Sequence, residues 1–338
     1  MTLLTRRAMI GAIASSPFWL QNAWGQSTAL KISHQFPGGN INEGDFRDRI
    51  SRMFADSVEK RSKGSLTLTV YPDSTLMKSS MQASAIRKGD LDLALMPLSY
   101  AGLEVPESQI GLLPGLVTSY KQAYAWKNAE IGRELNRAML EKGIVIVSWI
   151  WLSGGVVSRN KAIVEPQDVK GMNVRGGSRE MDLLLRSAGA NIVEMPSNEI
   201  YKAMQSGALD AAMTSSTSLT SFRLEDVSSV LTIGRGKAYW YMFEPLMMSK
   251  IAYDRLSREQ QAIIMAAGAE MEAHARMFAE LDDSVVAHVY KRAGVKVVDL
   301  SAATIQKWHE LARTTSWEDY RAKSASCAKL LKMAQQTI

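Results

Sequence analysis

The chain has 338 residues, 46% of them hydrophobic and 22% charged, enough apolar material for a real core in one large domain or two of ordinary size. The net charge of +6 is mild and evenly spread, with no basic run of five or more, which argues against nucleic acid or an anionic membrane surface as a partner. A single cysteine, Cys327, excludes a disulfide framework and paired thiol chemistry.

The first 25 residues read as an export signal. A charged start, Thr5-Arg6-Arg7, leads into an apolar stretch over 8–20 and a small-residue exit near Ala23 and Gly25. The stretch is too short to span a bilayer, and the paired arginines fit either a twin-arginine signal or an ordinary one. Removing Arg6 and Arg7 leaves a mature charge near +4. No cysteine follows the apolar stretch to carry a lipid, and no later run reaches 18 apolar residues. The expected mature protein is exported, periplasmic and without a membrane span of its own.

From residue 29 the pattern alternates strands and helices. "ALKISHQFP" is a strand running into a Pro-Gly-Gly turn, and Phe46, Ile50, Phe54 and Val58 mark one face of a helix over 44–63. Gly64 stops that helix before the strand "SLTLTVYP", and a helix ending at Lys88 precedes the strand "GDLDLALMP". A second pass begins near 144 with "IVIVSWIWL" as one apolar strand, then "MNVRGG" and the helix "SREMDLLLRSAG". It continues with the strand "NIVEMP" and the helix "SNEIYKAMQSG", with Ser197 and Asn198 as candidate caps. This order predicts mixed, mainly parallel sheets with helices on their faces. "IRKGDLDLALM" and "MQSGALDAAMT" share a helix end, a glycine, Leu-Asp and a strand at an offset of 118 residues, which suggests two similarly built lobes. The tail reads as helices alone, over 253–292, over 301–314 and from 316, bracing the two lobes.

Catalytic and metal-binding patterns are missing from the sequence. His274, His288 and His309 are spaced by 14 and 21 residues, which matches no ligand motif, and there is no nucleophile elbow, P-loop or dinucleotide fingerprint. Polar and aromatic residues do gather where strands end, and in open α/β sheets ligands sit beyond the carboxyl ends of strands. They are His34 and Gln35, Trp149 and Trp151, Arg175 before Gly176 and Gly177, "TSST" at 214–217 and "YWYMF" at 239–243. Taken singly, the aromatic residues suit a core, and "TSST" suits a cap and turn.

Four segments, "FADSVEKRSKGSLTLTVYPDSTL", "AIRKGDLDLALM", "VEPQDVKGMNVR" and "AGANIVEMPSNEIYKAMQSGALDAAMTS", stand in an order and at distances that resemble the DctP-type solute receptors of tripartite ATP-independent periplasmic (TRAP) transporters. The resemblance covers about 29–325. It implies an α/β, two-lobed periplasmic-binding-protein fold with mixed sheets flanked by helices, hinge strands and a long bracing helix. The expected division is 26–152 plus 241–280 for the first lobe and 153–240 plus 281–338 for the second. The implied function is capture of a small organic acid in the cleft and its delivery to a membrane permease. The alternative of another class is an exported enzyme acting on such an acid in the same cleft.

The family's selectivity arginine falls on Arg175, at the end of "VKGMNVR". A guanidinium offers a carboxylate a planar fork of donors and stays charged at any relevant pH. The expected ligand-binding set is Arg175, Gln35, Trp151, Thr214, Ser215, Trp240, His34 and Gly176, with Gly176 and Gly177 also able to bring backbone close to a ligand. Asp210 reads as a structural brace for its strand turn. The second arginine of some relatives is replaced by Gly155, and Pro97 stands where sugar-acid receptors carry an acid. That favours a small monocarboxylate or a keto or hydroxy acid. No catalytic residue, metal, cofactor or nucleic-acid partner is expected, and the default is a monomer.

Overall fold

In the computed structural model, which describes residues 27–235 and 237–337, the four-residue spacing of Phe46, Ile50, Phe54 and Val58 becomes the buried stripe of a helix, Phe46–Arg61. Asp45 caps it, accepting the Arg47 N–H. The expected export signal at 1–25 lies outside the described residues.

Twelve strands are found among the described residues. They are β1 (Thr28–His34), β2 (Leu66–Tyr71), β3 (Leu93–Leu95), β4 (Ile144–Ser148), β5 (Trp151–Ser158), β6 (Asn173–Arg175), β7 (Asn191–Ile192), β8 (Ala211–Ser215), β9 (Val230–Ile233), β10 (Tyr241–Phe243), β11 (Leu246–Ser249) and β12 (Lys296–Asp299). They form two sheets, β2-β1-β3-β11-β4 and β12-β9-β5-β8-β6-β7, with β10 also paired to β5. The two sheets repeat one plan. Three parallel strands (β2-β1-β3 and β7-β6-β8) are followed by an antiparallel one, β11 or β5, and then by β4 or β9. The two-lobed α/β architecture therefore holds.

The internal echo has a structural basis. Gly89 and Gly207 each end a helix with a left-handed φ of 82°. Three residues later, Asp92 Oδ2 accepts the Lys31 N–H at 2.9 Å in the first sheet, and Asp210 Oδ2 accepts the Asn173 N–H at 2.8 Å in the second. Each carboxylate caps the backbone donor just before a parallel register pair, Ile32 with Leu93 and Val174 with Ala211.

Two sequence expectations need correction here. "IVIVSWIWL" is two strands in two sheets, because the chain leaves the first sheet at Ser148 and enters the second at Trp151. It returns between β10 and β11, where the Glu244 N–H bonds Ile150 O at 2.9 Å, so the two crossings are tied together. The tail is also not purely helical: "KVVD" forms β12, parallel to β9. A half-exposed four-residue edge strand carries too weak an alternation to stand out between helices.

The helix Arg258–Arg292, opened by a Ser257/Gln260 capping box, is about 52 Å long. It packs on Phe46–Arg61 and β4 along one part and on β5, β9 and β12 along another. Its Gly268 lets the backbone close on β4, since a Cβ there would lie 2.2 Å from Val147 O. The last helices also touch both halves. Ser316 Oγ bonds Glu180 O at 2.6 Å, while Tyr320 OH bonds Glu107 O at 3.0 Å and Lys329 pairs with Glu134 at 3.0 Å.

Candidate ligand-binding site

Arg175 ends β6 and is 5% exposed. Its Nε donates to Met195 O at 3.1 Å, Nη1 to Met213 O at 2.7 Å and Nη2 to the Tyr100 hydroxyl at 3.1 Å. All three acceptors are neutral. A guanidinium has five N–H groups, so two remain after these bonds. Among the described residues no carboxylate pairs with it. The arrangement fixes the cation without neutralising it, and a buried charge of that kind favours an incoming anion.

The glycines after it are structural necessities. The Gly176 N–H is held by Asp182 Oδ1 at 3.0 Å, so it is committed within the protein and not offered to a ligand. Burial pushes the Asp182 carboxyl up to about 6, against the pull of Arg175 and the Gly176 N–H. Gly177, at a φ of +95°, lies directly against the guanidinium.

Gln35 follows β1 and reaches across to the second lobe. Its Nε2 lies 3.0 Å from Ser197 Oγ and 3.4 Å from the Tyr100 hydroxyl, while its buried Oε1 has no protein partner. Gln35 and Arg175 thus converge on Tyr100. The other expected residues take different positions. His34 is fully buried and accepts the Phe36 N–H on Nδ1, leaving Nε2–H to donate to Asp48 Oδ1 at 3.1 Å. Burial pushes the Asp48 carboxyl up, but His34, Arg52 and the Gly39 N–H outweigh it and hold the group below its ordinary value. Ser215 caps the helix Ser216–Ser221 through the Ser218 N–H, so "TSST" is a cap and turn. Thr214 sits inside β8 opposite Gly155. Trp151 is packed edge-on to Trp126 and stacked on Phe243, with its Nε1 buried and unpartnered. Trp240 fills the space over Gly154, where a Cβ would come within 2.4 Å of its ring.

Three contributors escaped the sequence reading. Tyr100 lies on a short 3-10 turn, Leu98–Ala101, just beyond β3, and the strand-end rule that selected Arg175 also reaches it. Ser197 is no cap: Pro196 holds that position, and the Ser197 hydroxyl instead faces Gln35. Arg47, fully buried, holds both Asp45 oxygens at 2.7 and 2.9 Å and reaches Ser218 Oγ at 3.0 Å and Glu244 Oε2 at 3.3 Å. It lies 3.6 Å over the Phe36 ring. Burial pushes the Glu244 carboxyl up to about 7 despite Arg47, and its Oε1 has no partner.

A cavity of about 500 Å³ is lined by Tyr100, Leu103, Gln109, Gly177, Asp182 and Met195 among others; Arg175 itself is not in the lining but sits behind three of these residues. Two larger hollows, about 710 and 820 Å³, lie elsewhere, against the 115–124 segment and the C-terminal helices. The smaller one is the relevant space, because Tyr100, Gly177 and Met195 all touch the arginine.

The chain matches the family of bacterial extracellular solute-binding proteins, family 7 (DctP), over residues 43–323. It is 61% identical to a solute-binding protein of Albidiferax ferrireducens, over 97% of each chain. It is 25% identical to the 2,3-diketo-L-gulonate-binding periplasmic protein of Escherichia coli, over 77% of this chain and 79% of that one. Among solved structures, a TRAP periplasmic solute-binding protein from Rhodoferax ferrireducens with bound malonate superposes with a TM-score of 0.89 at 63% identity, covering 91% of this chain and 98% of that one. Two sheets of one plan, a fixed arginine at a strand end and these matches agree: the chain belongs to the DctP family of TRAP solute receptors.

Proposed function

We propose that this receptor captures a short carboxylate at Arg175, between the lobes, and releases it to a TRAP membrane permease from the periplasmic side. The observation that carries the reading is the state of Arg175: buried, held by three neutral oxygens and, among the described residues, with no carboxylate at ion-pair distance, Asp182 and Glu244 acting on it only from farther off. Two free N–H groups on one planar cation match two carboxylate oxygens. Closure of the lobes would then follow from the extra contacts that a bound anion makes in the closed form.

The sequence favours a monocarboxylate or a keto or hydroxy acid. The malonate held by the 63%-identical relative widens this to short dicarboxylates of three carbons. Gly155 supports a one-arginine site: a Cβ there would lie 2.7 Å from Thr232 O inside the sheet, so a second arginine does not fit at that position. The reading assigns no chemistry to the cleft, and it takes the protein as a monomer that works without cofactor or nucleic acid.

Titration of the mature protein with malonate, pyruvate and lactate, followed by tryptophan fluorescence and calorimetry, is the test. Micromolar binding of at least one acid is expected, with the acid recovered unchanged. Arg175→Lys should lose at least about tenfold in affinity, since an ammonium cannot reproduce the fork. Silence across the panel, or an Arg175→Ala variant that binds like the parent, overturns the reading.

A further inference from the structure

We propose that the Tyr100 hydroxyl is a ligand contact made only in the closed form, so that one side chain of the first lobe sets both carboxylate preference and the lifetime of the closed complex. The proposal rests on the reading of Arg175 as the anion site. Tyr100 is carried by the turn that follows β3, in the first sheet, yet its hydroxyl meets two groups of the second lobe. It accepts from Arg175 Nη2 at 3.1 Å and from the Ser197 N–H at 3.2 Å, with Gln35 Nε2 more distant at 3.4 Å.

A phenol oxygen has two lone pairs and one proton. The Arg175 and Ser197 N–H groups occupy the lone pairs, so the proton points elsewhere; among the described residues the Gln35 amide, 3.4 Å away, can take it through its oxygen when turned, and an incoming anion competes with that weak contact. Tyr100 also lines the 500 Å³ cavity. Turned towards an incoming carboxylate, the O–H would join the two remaining N–H groups of Arg175 as a donor, since the hydroxyl lies 3.1 Å from Nη2. Three donors beside a fixed cation suit an acceptor-only group, a carboxylate, and penalise an amide or an ammonium. Because Tyr100 and Arg175 come from different lobes, opening the cleft separates them, and a carboxylate bound to both must lose one bond before it leaves.

A purely structural latch between the lobes would be indifferent to the ligand, and the experiment separates the two. Tyr100→Phe keeps the ring and removes only the hydroxyl. Malonate binding is measured by calorimetry and stopped-flow fluorescence on the parent, Tyr100→Phe, Arg175→Lys and the double variant. The expected result is a loss of about tenfold in malonate affinity for Tyr100→Phe, most of it in a faster dissociation rate. Its melting temperature without malonate should fall by a few degrees, because the Arg175 and Ser197 N–H groups lose this acceptor, so the affinity loss is read on the folded protein well below that temperature. The two losses should be non-additive in the double variant, as for groups sharing one carboxylate. Tyr100→Phe binding malonate within about twofold of the parent, or fully additive losses, overturns the role of Tyr100 while leaving Arg175 standing. A parent that binds none of malonate, pyruvate and lactate overturns the receptor-site reading, and the role of Tyr100 with it.

Discussion

A Cβ built on Gly177 would lie 2.5 Å from Arg175 Nη1 and 2.8 Å from its Cζ. The glycine is therefore part of the clamp: its missing side chain is the space the guanidinium occupies, and its φ of +95° is one that other residues rarely adopt. Gly177→Ala should push the guanidinium off Met213 O and the Tyr100 hydroxyl. The expected outcome is at least a tenfold loss of carboxylate affinity with about 1–2 kcal/mol of lost stability. Calorimetric titration together with urea unfolding checks both halves. Unchanged affinity would mean that the guanidinium position does not matter to binding.

The paired carboxylates Asp92 and Asp210 give a control of the opposite kind. Each stands just before its own strand and accepts a backbone N–H of the neighbouring parallel strand, at 2.9 and 2.8 Å, and neither is bonded to Arg175. Asp92→Ala and Asp210→Ala each strand a donor and should cost about 1–3 kcal/mol in urea unfolding, while affinity measured on the folded fraction stays within about twofold. If the repeated plan has the energetic meaning its geometry suggests, the two losses will be similar.

Glu244 gives the chain a pH dependence with a definite sign. Burial pushes its carboxyl from an ordinary 4.5 up to about 7, opposed by Arg47 and Arg175 and reinforced by Asp45. Because the folded-state value is raised, the folded chain takes up a proton before the unfolded chain does. Stability from this group therefore rises as pH falls from about 7 towards 4.5, and is lost as pH climbs back through that window. Glu244→Gln keeps an acceptor for Arg47 and removes the titration. Between pH 8 and pH 5 the parent should gain about 1–3 kcal/mol more than the variant, measured by urea unfolding at each pH. Parallel profiles would count against an ionisable Glu244.

The fold was largely legible because the cues were local and periodic. The Phe46 stripe, the helix-ending glycines 89 and 207 and the Leu-Asp strand starts each act over a few residues and needed no tertiary information. The break in "IVIVSWIWL" was hidden, since a crossing between two buried sheets is as apolar as the strands it joins. Arg175 could be placed because its motif fixes it to a strand end. Its cage could not, because Met195 O and Met213 O are backbone groups that carry no sequence signature. The same strand-end rule also selects His34 and Ser215, whose polar atoms bond Asp48 and cap a helix within the protein. Residue type alone does not tell which way a buried polar group turns.

Arg47 shows how much of the crossing between the two sheets depends on one side chain the sequence left unremarked. It is fully buried, holds Asp45 with two bonds, and touches Glu244 at the crossing and Ser218 on a helix that follows the second sheet. Burial alone would push its guanidinium down, but Asp45 and Glu244 hold it above its ordinary value, so it stays charged. Arg47→Met would leave Asp45 buried without its cation and should cost about 3–5 kcal/mol. Glu244 can relieve part of that by protonating, so the loss should be smaller at pH 5 than at pH 8. Adding Glu244→Gln to Arg47→Met should remove that pH dependence and recover part of the loss at pH 8, because the two residues share one network. Urea unfolding of the three variants at both pH values reads this directly. A single-variant loss below about 1 kcal/mol, or one equal at both pH values, would show that the buried cluster is not what holds the crossing strands together.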